Sequence, residues 1–152
     1  VGGAFWKRYD GDMEDNPYQA PLYDEACRSE AKSSACYLST PQHVLSFVGR
    51  FIYIYTDKGE LTLNANSITF VGKQGVPLVI PLDLIVDIRG GHYSRWAKPL
   101  RLDYIAVRRR QGGAEETFLL TPTMSWATPV WQTNRIVADW KRALEAARLT
   151  HA

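Results

Sequence analysis

Seven basic residues crowd one stretch of the chain: Arg89, Arg95, Lys98, Arg101, Arg108, Arg109 and Arg110, with Asp103 the only acid among them. The start of that stretch, GGHYSRWAKP, also carries His92, Tyr93 and Trp96. Rings beside cations suit an anionic membrane surface, because rings enter the interface while cations meet headgroups. At about 1 kcal/mol for each engaged Lys or Arg, four such residues give a weak, salt-sensitive affinity. The candidate lipid- or anion-binding residues are therefore His92, Tyr93, Arg95, Trp96, Lys98, Arg101, Arg108 and Arg110. A purely structural role competes at each end of the stretch. Trp96 can fold over the mouth of the protein, and strand alternation sends Arg108 and Arg110 one way and Arg109 the other. Glu115 and Glu116 lie across a hairpin turn from that triplet, so pairing with them takes precedence there.

Catalytic chemistry finds little footing. His43, His92 and His151 have no nucleophile in a recognisable motif beside them, and no serine sits in a nucleophile elbow. Gly72-x-x-Gly75 lacks the Lys-Ser/Thr ending of a phosphate loop and reads as a turn. Asp83 and Asp87 share a face if the segment is extended, but a bend cap and a solvent-facing acid account for them. No catalytic residue, cofactor or metal site is expected. Cys27-x8-Cys36, followed by His43, is no zinc spacing. The two cysteines are either a small disulfide loop or free thiols, depending on compartment.

The 152 residues suit one domain, and 45% hydrophobic and 12% aromatic content is globular. The net charge of +2 is uneven: residues 1–45 hold four basic and seven acidic residues, and the remainder holds fourteen and nine. No apolar run reaches the ~20 residues of a bilayer crossing. The opening GGAFWKRYD is either linker sequence, with Met13 as the native start, or the outer end of a removed membrane helix. The expected location is cytoplasmic or peripheral to the inner membrane, with the soluble portion of an envelope protein as the alternative.

The elements that would position these residues follow from pattern. Residues 1–42 lack periodicity and carry Pro17, Pro21 and Pro41, which predicts an extended, mostly irregular arm, with Asp24–Ala35 a possible short polar helix. Within it, NPYQAP resembles an N-terminal peptide of bacterial envelope-linked proteins. Residues 43–150 form the domain. HVLSFVGRFIYIYTDKG reads as a long strand covered on both faces and ending in an Asp57-Lys58-Gly59 turn. LTLNA, SITFVG, VPLVIPL, LIVDIR, LRLDYIAVRRR and EETFLLT supply six more strands. The prolines of VPLVIPL place it at an edge or bulge. The last part changes period: Thr128 caps a helix beginning at Pro129, with Val130, Thr133, Val137, Trp140, Leu144 and Ala147 on one stripe. The fold class is thus α+β, mainly β: seven antiparallel strands in a partly open barrel or sandwich, capped by one C-terminal helix with Trp140 as its plug.

Gly59-Glu60-Leu61-Thr62-Leu63, Ser67-Ile68-Thr69-Phe70 and Ile80-Pro81-Leu82 with Ile85 and Ile88 resemble the GRAM-type version of the pleckstrin-homology fold, over roughly residues 44–148. Trp140 is similar to the helix tryptophan of that superfamily. The resemblance gives Gly59, Phe70, Pro81 and Trp140 structural roles. It implies an open barrel without catalysis or cofactor, whose relatives bind phosphoinositides, other anionic lipids, peptides or protein surfaces. Only Arg50 and Lys58 stand where the phosphoinositide signature places its cations. The expected function is a non-catalytic module that localises or scaffolds an assembly at an anionic membrane surface. The alternatives are a peptide- or protein-binding scaffold with no lipid role and, third, a small-ligand barrel or enzyme. A protein partner and an anionic lipid stand ahead of nucleic acid, for which no motif is present.

Overall fold

Alternation of apolar and polar residues builds one continuous antiparallel sheet of seven strands and leaves a single long helix. The computed structural model describes residues 31–51, 54–95 and 100–151, without the side chains of residues 50 and 51. The strands are β1 (Lys32–Ser39), β2 (Asp57–Leu63), β3 (Ser67–Gly72), β4 (Pro77–Pro81), β5 (Ile85–His92), β6 (Asp103–Gln111) and β7 (Ala114–Thr123). Two short helices, α1 (Pro41–Leu45) and α2 (Phe47–Phe51), follow β1, and α3 (Val130–Leu149) closes the chain. The order across the sheet is β4-β3-β2-β1-β7-β6-β5.

The sheet is open, yet its ends meet. β4 and β5 are the terminal strands, joined only by a 3-10 turn at residues 82–84. Four residue steps from Pro81 to Ile85 span at most about 14 Å, so the sheet must curl until its ends adjoin there. Every strand accordingly gives side chains to one core: Cys36, Leu61, Ile68, Phe70, Ile80, Ile85, Ile88, Ile105, Val107 and Leu120. From α3, Val137, Trp140 and Leu144 enter the same core, with Trp140 fully buried as expected. Arg148 reaches from the end of α3 to donate to the Val86 carbonyl at 2.6 Å. Arg109 on β6 donates to the Val79 carbonyl on β4 at 3.2 Å, bridging the two ends of the sheet.

The residues of the resemblance hold the packing roles expected of them. Gly59 faces Gly72 across β2 and β3, and a side chain at Gly59 would strike the Val71 carbonyl. Phe70 lies in the core, and Pro81 leads into the 3-10 turn that buries Leu82. Gly112 and Gly113, both at positive φ, make the two-residue turn between β6 and β7.

Three expectations are corrected. Residues 32–39, assigned to the irregular arm, are β1, a central strand between β2 and β7. Their small polar residues hide the alternation, for only Cys36 and Leu38 face the core. Residues 43–56 are not a strand. Residues 43–45 and 47–51 belong to α1 and α2, Ile54 and Tyr55 are buried, and Asp57–Gly59 begins β2 rather than turning. Thr40 caps α1 by accepting from the His43 amide, with Pro41 as the first helical residue. Leu45, Phe47 and Val48 stand in solvent, while Val44, Ile54 and Tyr55 pack on the outer face of the sheet. There Ile54, Tyr55, Tyr93, Leu102 and Leu119 make a second core, with Tyr37, Val44 and Tyr104 packed against it. The helix α3 starts one residue later than expected. Thr128 does not cap it; its hydroxyl accepts from the Ser125 amide instead.

Cys36 is a free thiol, buried on the inner face, and burial pushes its pKa far up. Cys27 and the rest of the expected arm up to residue 30, with the NPYQAP peptide, lie outside the described residues, as does the first part of the expected Asp24–Ala35 helix, whose residues 32–35 are strand instead. Among the described residues, no helix is long and apolar enough to cross a membrane, and no group of three His, Cys, Asp or Glu gathers.

Candidate membrane-facing site

The end of the sheet where β5 stops and β6 begins is assembled by backbone pairing. His92 is opposite Asp103, and Ile105 is opposite Leu120, so the β5–β6 loop and the β7–α3 connection leave at the same end. Gly91 lies beneath the Tyr104 ring, where an added side-chain carbon would stand 2.6 Å from ring atoms. The Tyr93 amide donates to the Leu102 carbonyl at 2.8 Å and closes the neck of the loop. Asn134, on the second turn of α3, clamps the returning chain. Its Oδ1 accepts from the Asp103 amide at 2.8 Å and its Nδ2 donates to the Arg101 carbonyl at 2.9 Å.

Beyond this neck, apolar side chains stand in solvent. Leu100 is 66% exposed, Met124 67%, Trp126 47% and Trp131 65%. Trp126 rests edge-on against Tyr37 at 5.0 Å, with Lys58 Nζ 5.2 Å from its ring. Arg95, Arg101 and Arg135 are exposed around the same end, and Arg135 shares the outer face of α3 with Trp131, four residues before it. Among the described residues, only Asp103 pairs with Arg101, through Nε at 3.5 Å.

Of the residues expected to meet an anionic surface, Arg95, Arg101 and exposed His92 are at this end. Trp96 and Lys98 lie outside the described residues. Tyr93 does not face outward. Its ring packs 4.9 Å from Tyr104 and edge-on to Tyr55, and its hydroxyl pairs with Thr121 at 3.2 Å. Burial raises its pKa well above the ordinary phenol value. The inward turn follows from the second core, which the sequence did not disclose.

Arg108 and Arg110 stand at the opposite end of β6, and acids hold them. Arg110 Nη2 meets Glu115 at 2.5 Å, while Arg108 lies 3.5 Å from Glu115 and 3.8 Å from Asp87. Arg109, on the other face, meets Glu116 at 2.6 Å and lies over the Phe118 ring. The hydrogen bond from Arg110 holds the Glu115 carboxyl below its usual range. The triplet is therefore the structural pairing that alternation suggested. Asp87 is spent on Arg89 and Arg108, and Asp83 stands exposed in the 3-10 turn.

Sequence reasoning did not place Leu100, Met124, Trp126, Trp131, Asn134 or Arg135 at this end. Signals existed: Trp131 is off the apolar stripe of α3, and asparagine is a poor helix former that needs a reason to sit there. No protein-family model matches the chain, and no curated protein matches it.

Proposed function

We propose that this protein is a non-catalytic binding module that docks on an anionic bilayer through the end built by the β5–β6 loop and the β7–α3 connection. One observation carries the reading: two exposed tryptophans, a methionine and a leucine share that end with Arg95, Arg101 and Arg135. Tryptophan favours the membrane interface because one part of the indole is apolar and the other donates a hydrogen bond. The guanidinium groups complement acidic headgroups. A curled open sheet with a helix on its core is what the GRAM resemblance implied, and it supports this reading. The interior is filled by Trp140 and its neighbours, so recognition falls to the rim. Among the described residues no hydrogen bond links His92 to an acid or a nucleophile, which favours binding over catalysis.

A peptide-binding scaffold is the second reading. It is favoured by β5, a terminal strand of the sheet, on which an extended segment that displaced Arg148 from the Val86 carbonyl would extend the ladder beside α3.

Vesicle sedimentation separates the two. The chain is expected to pellet with phosphatidylcholine vesicles containing phosphatidylglycerol, less so as salt rises. It should not pellet with phosphatidylcholine alone, and Trp126→Ala with Trp131→Ala should release it. Equal pelleting with both vesicles, or none, removes the bilayer reading.

A further inference from the structure

Between β5, β6 and α3 lies an open cleft of about 240 Å³, floored by Gly90 and Gly91 and walled by His92, Arg101, Asp103 and Lys141. We infer that this cleft binds a phosphate ester that also carries a free hydroxyl. The inference rests on the bilayer reading only for the source of that ester, which is either a lipid headgroup or a free polyol phosphate.

The size is right for a fragment rather than a large ligand: at ~30 Å³ each, about eight waters would fill it. The charge is right for an anion. Arg101 meets Asp103 only through Nε, which leaves its two terminal nitrogens to donate. Lys141 contacts Glu145 at 2.9 Å, and an ammonium has three hydrogens to give. His92 adds a ring nitrogen. Gly90 adds no side chain to the floor and lies beside the Lys141 stem, whereas the Tyr104 ring covers Gly91.

One atom demands more than a bare anion. Asp103 Oδ1 is shielded from solvent and accepts no hydrogen bond among the described residues, with Arg101 Nε 3.5 Å away as its ion-pair contact, and a shielded acceptor without a hydrogen bond is costly. A phosphate oxygen beside it would be repelled, whereas a hydroxyl would donate to it. An ammonium could donate too, but it would enter among Arg101, Lys141 and the imidazole of His92. Three neighbouring donors of positive or neutral character favour the uncharged hydroxyl.

The test compares two lipids of equal charge, phosphatidylglycerol with its diol and phosphatidylmethanol with none, and adds free glycerol 1-phosphate. With the native chain, phosphatidylglycerol vesicles should pellet several-fold more protein than phosphatidylmethanol vesicles. Glycerol 1-phosphate should shift the amide resonances of Gly90 and Gly91. Asp103→Asn should erase the preference for the diol while leaving charge-driven binding in place. Ala138→Phe should do the same: Ala138 lines the cleft from the exposed side of α3, so a larger ring fills it without entering the core. Trp126→Ala with Trp131→Ala should abolish pelleting yet keep the glycerol 1-phosphate shifts, which separates failure of the bilayer reading from failure of this one. Shifts without lipid discrimination assign the site to a free ester. Equal pelleting with both lipids together with unshifted glycines overturns the inference, as does a preference untouched by both cleft variants.

Discussion

The two ends of β6 carry the same residue type and put it to opposite uses. At the hairpin end, Arg108, Arg109 and Arg110 stand opposite Thr117, Glu116 and Glu115 in strict register, and each finds a carboxylate. At the loop end, Arg95 and Arg101 emerge beside exposed Leu100, Met124 and Trp131, and among the described residues only Asp103 meets one of them. Local density of positive charge is thus a poor guide to a binding surface. What distinguishes the ends is whether the facing strand supplies acids, and whether the neighbours in solvent are polar or apolar.

The largest effect should come from breaking both ends together. Trp140→Ala empties the centre of the inner core and is expected to cost about 3–5 kcal/mol in chemical denaturation. A loss below 1 kcal/mol would contradict the plug. Next, Arg95→Gln with Arg101→Gln should weaken acidic-vesicle binding about thirtyfold, from about 1 kcal/mol for each cation. Arg108→Gln with Arg110→Gln should leave it within twofold; a larger loss there would erase the contrast between the two ends.

Alkali sharpens the comparison from inside. Burial raises the pKa of both Cys36 and Tyr93 above their ordinary values of 9.0 and 10.0. The unfolded chain therefore releases these protons first, so stability is intact below pH 9 and falls above it. The slope is about 1.4 kcal/mol per pH unit for each group once its ordinary value is passed. Denaturation midpoints from pH 8 to 11 should show the decline, and Tyr93→Phe should flatten its upper part. A smaller change is expected for Arg109→Met, about 1 kcal/mol, from loss of its bonds to Glu116 and the Val79 carbonyl. The smallest belongs to Glu115, whose lowered pKa adds stability above the ordinary carboxylate range and loses it as pH falls through the folded value. Because that carboxylate is solvated, Glu115→Gln should barely move a midpoint at neutral pH.

Much of the architecture was legible because it is written in period. The two-residue alternation of β2, β3, β6 and β7 and the three- and four-residue steps of α3 identify their own partners. The prolines of β4 placed it at the border of the sheet, where it lies. What escaped was set by neighbours rather than by local pattern. Ser33, Ser34 and Ala35 are unremarkable until β2 and β7 close on either side of them. The apolar run through Ile54 and Tyr55 imitates a two-faced strand, yet Leu45, Phe47 and Val48 before it stand in solvent rather than under a second layer. Tyr93 could be placed only once that layer was known, and its loss from the exposed set is compensated by Trp126 and Trp131.

The two guanidinium groups that bond to the terminal strands bear on crowding. A protein concentrated on a surface meets copies of itself often, and an unsatisfied terminal strand is a template on which a second chain can be laid. Here Arg109 occupies the Val79 carbonyl on one terminal strand and Arg148 the Val86 carbonyl on the other. An incoming backbone would have to displace a cation from its own chain before it could extend the ladder, so gathering many copies in one place need not seed a fibre.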